Sequence, residues 1–223
     1  MGVAVYATVL LLADGRFPAG GHAHSGGVEA AVAAGAIGDP ATLAAFLAGR
    51  LHTTGLTGAA LAAAAAGGLD PARLDEAADA RTPSPALRAA SRRLGRQLLR
   101  AARACWSDPL LAGAAEAHHS VVLGLVARAA GLDPAQAAMI AAHESVNGPA
   151  TAAVRLLGLD PYQVIAQLAR LAPAVDTVAA QATEAAAAAV RSGEVDLLPS
   201  ASAPLLDLYA ERHDSWKVKL FAS

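Results

Sequence analysis

One cysteine, two lysines and eight aromatic residues are spread over 223 positions, and each scarcity closes a class of function. The lone Cys105 excludes an intramolecular disulfide and any cysteine-based zinc site, so a reducing compartment suits the chain. Charge of either sign is sparse: 17 basic against 19 acidic residues give a net charge of -2, with no global pull toward nucleic acid or an anionic membrane. Long apolar runs are also missing. Leu56 to Leu69 is mostly Ala and Gly and short, and Ser120 to Ala142 is interrupted by Arg128, Asp133 and Pro134. A membrane span needs about 20 predominantly apolar residues. Val3 to Ala13 is apolar, but no basic residue precedes it and Asp14-Gly15-Arg16 follows. It reads as a first core helix rather than a signal peptide, and a cytoplasmic protein is expected.

What is abundant is alanine-rich helical patterning. Hydrophobic residues make up 55% of the chain, which argues against disorder. No convincing run alternates with period two. Leu87, Ala90, Leu94, Leu98, Ala101 and Cys105 form one stripe at three- and four-residue steps, and Leu111, Ala114, His118, Val121, Leu125 and Ala129 form a second. Asp39-Pro40, Asp133-Pro134 and Asp160-Pro161 each set an N-cap carboxylate before a proline at the first helical position. Pro83, Pro85, Pro109, Pro149 and Pro173 mark further breaks or kinks. The expected fold is all-α: a single compact multi-helix bundle of about eight to ten helices over 1–199, followed by a C-terminal tail over 200–223. The least regular stretches are Asp14 to Gly27, Gly67 to Pro85 and everything after Gly193. Small side chains bury little area each, so further burial through oligomerisation is expected.

Four regions invite a chemical reading. Asp14 to Glu29 is a glycine-rich loop with His22 and His24. It has no lysine for a phosphate-binding loop, and Ala23-His24-Ser25-Gly26-Gly27 lacks the first glycine and the preceding strand of a nucleophile elbow. His22 and His24 could ligate nickel or zinc; the competing reading is a tight structural loop with Ser25 capping the next helix and Glu29 in its opening turns. His143-Glu144-Ser145-Val146-Asn147 begins like a zinc-protease helix but has Asn147 where the second histidine must stand. His118-His119 reads as one core and one surface histidine, and His52 has no spacing partner.

The third region is an arginine row. Arg88, Arg92, Arg96 and Arg100 lie four apart, with no acidic residue between Asp79 and Asp108. Like charges at that spacing cost about 0.2–0.5 kcal/mol per pair. The row is a solvated face, a seat for an acidic partner, or a face paired with an acidic helix of the same bundle. The fourth region is the tail, where Tyr209, Trp216 and Phe221 crowd near the C-terminus with Lys217 and Lys219. Chain ends fray unless they dock. Residues after about Pro199 are therefore expected to be mobile in the free protein and to order on a partner.

In order along the chain, these regions resemble the UreF family of urease accessory proteins. Asp14, Pro18, Gly20-Gly21, His24-Ser25, Gly27 and Glu29 are similar to its N-terminal signature. Ser91 to Leu99 resembles its central Arg/Gly helix, and His119 with Gly124 its His-x-x-x-x-Gly segment. Val154-Arg155-Leu156 with Gly158 resembles its Val-Arg-Leu stretch. Pro204-Leu205-Leu206-Asp207, His213 and Leu220-Phe221-x-Ser223 resemble its C-terminal signature. Lys219 stands where the family usually carries arginine, keeping the charge without the planar fork. The resemblance implies a non-catalytic all-α homodimer with no cofactor of its own. It would bridge the UreD/UreH scaffold and the nickel-carrying GTPase UreG during nickel delivery to apo-urease. Its implied partner contacts are His24, Ser25 and Glu29 in the loop, Arg92 and Arg96 in the row, Arg155, and Tyr209, His213, Trp216, Lys219 and Phe221 in the tail. A nickel-binding chaperone acting through His22 and His24 is the alternative.

Overall fold

Helices begin where a short acceptor side chain is followed by proline. In the computed structural model, which describes residues 3–221 apart from the side chains of residues 3–5 and His22, Asp39, Asp70, Ser84, Asp108, Asp133 and Asp160 each accept a backbone N–H of the turn that follows. The proline behind each cap has no N–H to leave unpaired. These starts open α3 (Pro40–Arg50), α5 (Pro71–Ala80), α6 (Pro85–Cys105), α7 (Pro109–Gly113), α9 (Pro134–Leu157) and α10 (Pro161–Ser192). The others are α1 (Val3–Ala13), α2 (Val28–Ala33), α4 (Leu56–Ala66), α8 (His119–Ala129) and α11 (Pro204–Asp214). Among the described residues there is no strand, so the all-α expectation is met. No described helix is long and apolar enough to cross a membrane.

The centre is α4, with Ala59 to Ala66 buried all round. Alanine at every turn makes it thin, so α8, α9 and α10 close on it from three sides. The closest approach is at Gly124 of α8, where an added Cβ would lie 2.2 Å from the Ala62 carbonyl oxygen. α3 runs into α4 through a wide π-helical turn, Leu51–Gly55, without a break. Leu43, Leu47 and Leu51 on that composite helix are fully buried. α6 packs on α8 with Leu98, Leu99 and Ala102 inward, leaving its arginines at the outer side.

Several expectations need correcting. Pro149 and Pro173 do not end a helix, as a break would: each lies inside a continuous one, α9 and α10. The stripe from Leu111 to Ala129 is divided between α7 and α8, because residues 114–118 leave helical geometry to reach α5. The stretch from Gly67 to Pro85 contains α5, and the region after Gly193 contains α11. The first helix forms as expected; among its described side chains Leu12 is buried in the core with Val9 and Ala13 against it, while Tyr6 and Leu10 are each 72% exposed.

Candidate functional site

Apolar and carbonyl groups of the glycine-rich loop tie it to the helices around it. Phe17 is buried with its ring 6.2 Å from that of Trp106, just beyond α6. Arg50, at the end of α3, donates from Nη1 to the Gly26 carbonyl and from Nε to the Ser145 carbonyl, both at 2.9 Å. The second bond answers a defect in α9. Pro149 has no N–H to give the carbonyl four residues back, and Arg50 fills that vacant acceptor. Burial pushes the guanidinium down to about 10. One arginine therefore ties the loop to the kink-prone point of α9.

From this loop α2 starts at Gly27, whose φ of +92° is a left-handed value suited to glycine. Ser25 is fully buried, and its Oγ accepts the Glu29 N–H at 3.3 Å. The expected capping role thus acts from two residues before the helix boundary. Glu29 is 7% exposed, and its carboxylate collects three groups from the far end of the chain. His213 Nε2 lies 2.9 Å from Oε2, the Leu220 N–H donates to Oε1 at 2.8 Å, and the Phe221 N–H donates to Oε2 at 3.0 Å. Burial raises the Glu29 carboxyl, but these donors outweigh it and hold it below its ordinary value. With Nε2–H facing the carboxylate, His213 keeps Nδ1 buried without a partner among the described residues. Trp216 lies against the imidazole with ring centroids 4.7 Å apart and the planes tilted by 46°.

The tail is thus not free. Leu206, Ala210 and His213 are the inward face of α11, which packs on α2 and α6. Asp207 accepts the Ser84 N–H at 3.2 Å, and Glu211 accepts the Ala86 N–H at 2.9 Å and the Ser84 hydroxyl. The tail's polar groups find partners on its own chain. Tyr209 is half-buried against the core, Trp216 and Phe221 are half-buried, and Lys219 reaches the Asp214 carboxylate at 3.2 Å. Ser223, the last residue of the C-terminal motif, lies outside the described residues.

The arginine row resolves into unlike members. The Arg92 guanidinium spans Asp75 and Asp79 of α5, 2.8 Å from each. Asp79 also faces His118 Nε2 at 2.8 Å, Asp75 accepts the His118 N–H at 2.8 Å, and Ser91 lies 3.0 Å from His118 Nδ1. Asp79 is held below its ordinary value by the His118 ring and Arg92, against the opposing effect of burial. This is the acidic-helix alternative for Arg92, whose side chain remains 31% exposed. Arg96 is different: its bond to Glu116 is 3.3 Å and both side chains are well exposed.

Arg155 stands exposed on the last turn of α9. His118 is buried and His119 half-buried, close to the expected division. His119 Nε2 is 4.0 Å from Glu144. Burial and then the charge of His24 push His119 down to about 4, while burial pushes Glu144 up to about 8. His24 therefore lies within electrostatic reach of His119; the side chain of His22 is outside the described residues. Among the described residues no group of three or more His, Cys, Asp or Glu is arranged to hold a metal ion. Sequence reasoning did not find the roles of Arg50, Asp75 and Asp79, or the contacts of Glu29 with the chain's far end, because each partner lies on another element.

Helices throughout, an N-terminal glycine loop seated under a C-terminal helix, and basic residues sorted into buried ties and exposed ends define a class of all-α protein built around chain-end contacts. A family model described as UreF matches residues 37–172. The chain is 46% identical over 222 residues to a urease accessory protein UreF of Mycolicibacterium vanbaalenii, covering 97% of this chain and 98% of that one. It is 47% identical over 218 residues to one of Mycobacterium sp. and 43% over 222 residues to one of Mycobacterium tuberculosis, with the same coverage of both chains. The chain belongs to the UreF family of urease accessory proteins.

Proposed function

We propose that the protein is a non-catalytic scaffold of urease maturation. It bridges a UreD/UreH-type scaffold and the GTPase UreG, and regulates GTP-dependent nickel delivery to apo-urease, working in the cytoplasm as a homodimer. The observation that carries this reading is the two-sidedness of the C-terminal segment. α11 turns one face inward while Leu205 and Leu208 stay 64% and 65% exposed, and Val218 and Leu220 beyond it are 82% and 77% exposed. Large aliphatic side chains gathered on one outward stretch fit docking onto another protein. Arg155, Arg96 and Lys219 are exposed basic residues among the positions that the resemblance picks out.

The test is co-purification of the scaffold and UreG with the wild-type chain and with two variants. Leu205→Asp combined with Leu208→Asp is expected to lose the scaffold while keeping the wild-type melting temperature. Arg155→Glu is expected to keep the scaffold and lose control of UreG. Wild-type complex formation and urease activation by both variants would refute the reading.

A further inference from the structure

α6 carries six arginines and no acidic residue. Arg88 and Arg92 are drawn to Asp79 and Asp75 of α5, and Arg103 donates to the Leu111 and Ala114 carbonyls at 2.9 and 3.0 Å. Arg93, Arg96 and Arg100 are exposed, three and four residues apart on the outward face of the helix. Arg96 reaches the well-exposed Glu116, and Arg100 makes no hydrogen bond or ion pair among the described residues. We propose that this outward row is a docking surface for an acidic helix of a partner protein, one that sets carboxylates a turn apart against Arg96 and Arg100. The inference goes beyond the scaffold reading and does not depend on which protein binds.

The chain itself holds a template for such a contact. Asp75 and Asp79, one turn apart on α5, each lie 2.8 Å from the Arg92 guanidinium, and Asp79 is 3.8 Å from Arg88. An acidic helix thus seats against arginines four residues apart on one side of α6. Arg96 and Arg100 repeat that spacing on the next side, where they are exposed rather than covered by a helix. From Arg93 to Arg100 the row runs two turns, about 10 Å along the axis, which a second helix can follow. Ala89 and Ala104 are exposed at its two ends, and their short side chains let another backbone come close. Like charges at this spacing oppose one another, so a row of carboxylates relieves a cost that α6 otherwise bears. Each guanidinium also offers a planar fork that fits a carboxylate at two points. Nucleic acid fits less well: α6 has no aromatic residue to stack a base, and the chain carries a net charge of -2.

Fluorescence anisotropy of the full chain with a labelled helical peptide, its glutamates spaced alternately three and four residues apart, tests this. The comparison ligands are a permuted peptide of the same composition, a glutamine version, and a single-stranded RNA of equal charge. The wild-type chain is expected to bind the spaced peptide one to one, more tightly than the other three, with affinity falling as salt is raised. Arg96→Glu combined with Arg100→Glu is expected to weaken that binding about tenfold or more, at an unchanged melting temperature because both side chains are exposed. Arg96→Gln with Arg100→Gln makes the same comparison should the reversed pair not fold. Arg191→Glu, exposed at the end of α10, changes the net charge equally per residue and is expected to leave the affinity as it was. Equal affinity for the spaced and permuted peptides, an equal loss per charge in Arg191→Glu, or tighter binding of the RNA would overturn the proposal. Because the probe is a synthetic peptide, the outcome is separate from the success or failure of the scaffold reading.

Discussion

Replacing Arg92 by alanine leaves two neighbouring carboxylates of α5 without the cation that α6 sets between them. Asp75 and Asp79 are one turn apart on α5, and the guanidinium 2.8 Å from each is the cation between them. A buried pair broken on one side costs about 3–5 kcal/mol, whereas an exposed pair is worth about 0–1 kcal/mol. The Arg92 side chain is 31% exposed and Asp75 19%, so the site lies between those limits. His118 remains to face Asp79, which moderates the loss. The expected cost is about 2–3 kcal/mol, or roughly 4–12 °C in melting temperature for a chain of this size. Arg96→Ala is the control, because its pairing with Glu116 is open to water on both sides, at 44% and 66%; it should cost less than about 1 kcal/mol. Urea unfolding of the two variants, with equal m-values, decides the matter. Equal stability of the two proteins would mean that Arg92 is not a structural tie and belongs with the solvated arginines.

Gly124→Ala should destabilise, since overpacking against the Ala62 carbonyl costs about 1–3 kcal/mol and outweighs a propensity gain of about 1 kcal/mol; Gly58→Ala, with open space at its Cβ, should stabilise, and thermal melts showing the reverse order would refute the close approach. Glu144, raised to about 8, binds a proton in the folded state that the unfolded chain has released, so its contribution falls as pH rises from its ordinary value of 4.5 toward 8. His119, lowered to about 4, acts with the opposite sign between 4 and 6.5, so the net loss should emerge above pH 6.5. Glu144→Gln should flatten that upper limb in urea titrations at pH 6.5 and 8, and an unaltered slope would count against the buried carboxyl. Calorimetry of the isolated protein with nickel should show no tight stoichiometric site; submicromolar binding abolished by His24→Ala would install the chaperone reading instead.

The helix starts were legible because capping is local: Asp39, Asp133 and Asp160 act within three residues of themselves. The interior prolines misled for the converse reason. Pro149 breaks a rule of the isolated helix, and the remedy comes from Arg50, 95 residues away from the carbonyl it satisfies. The same distance problem hid the acidic partners of the arginine row, although Asp75 and Asp79 precede Arg92 by less than 20 positions. Their stretch lacked a strong apolar stripe and read as irregular, so no acidic helix was available to pair. At the candidate site, Ser25 and Glu29 were recognisable as helix-opening residues, and the family resemblance set His213 and Phe221 among functional positions. That these groups meet was not legible, because neither residue type nor spacing encodes a contact spanning nearly the whole chain.

Fastening the tail through backbone amides has an evolutionary consequence. Any residue except proline offers the N–H groups that Glu29 receives from positions 220 and 221. The side chains at 218 and 220, which face outward, are therefore released from holding the segment in place. They can drift in step with whatever surface they meet while the attachment stays intact. Variation should be tolerated in what the chain end displays, and resisted at Gly27, Glu29 and His213, where it is held.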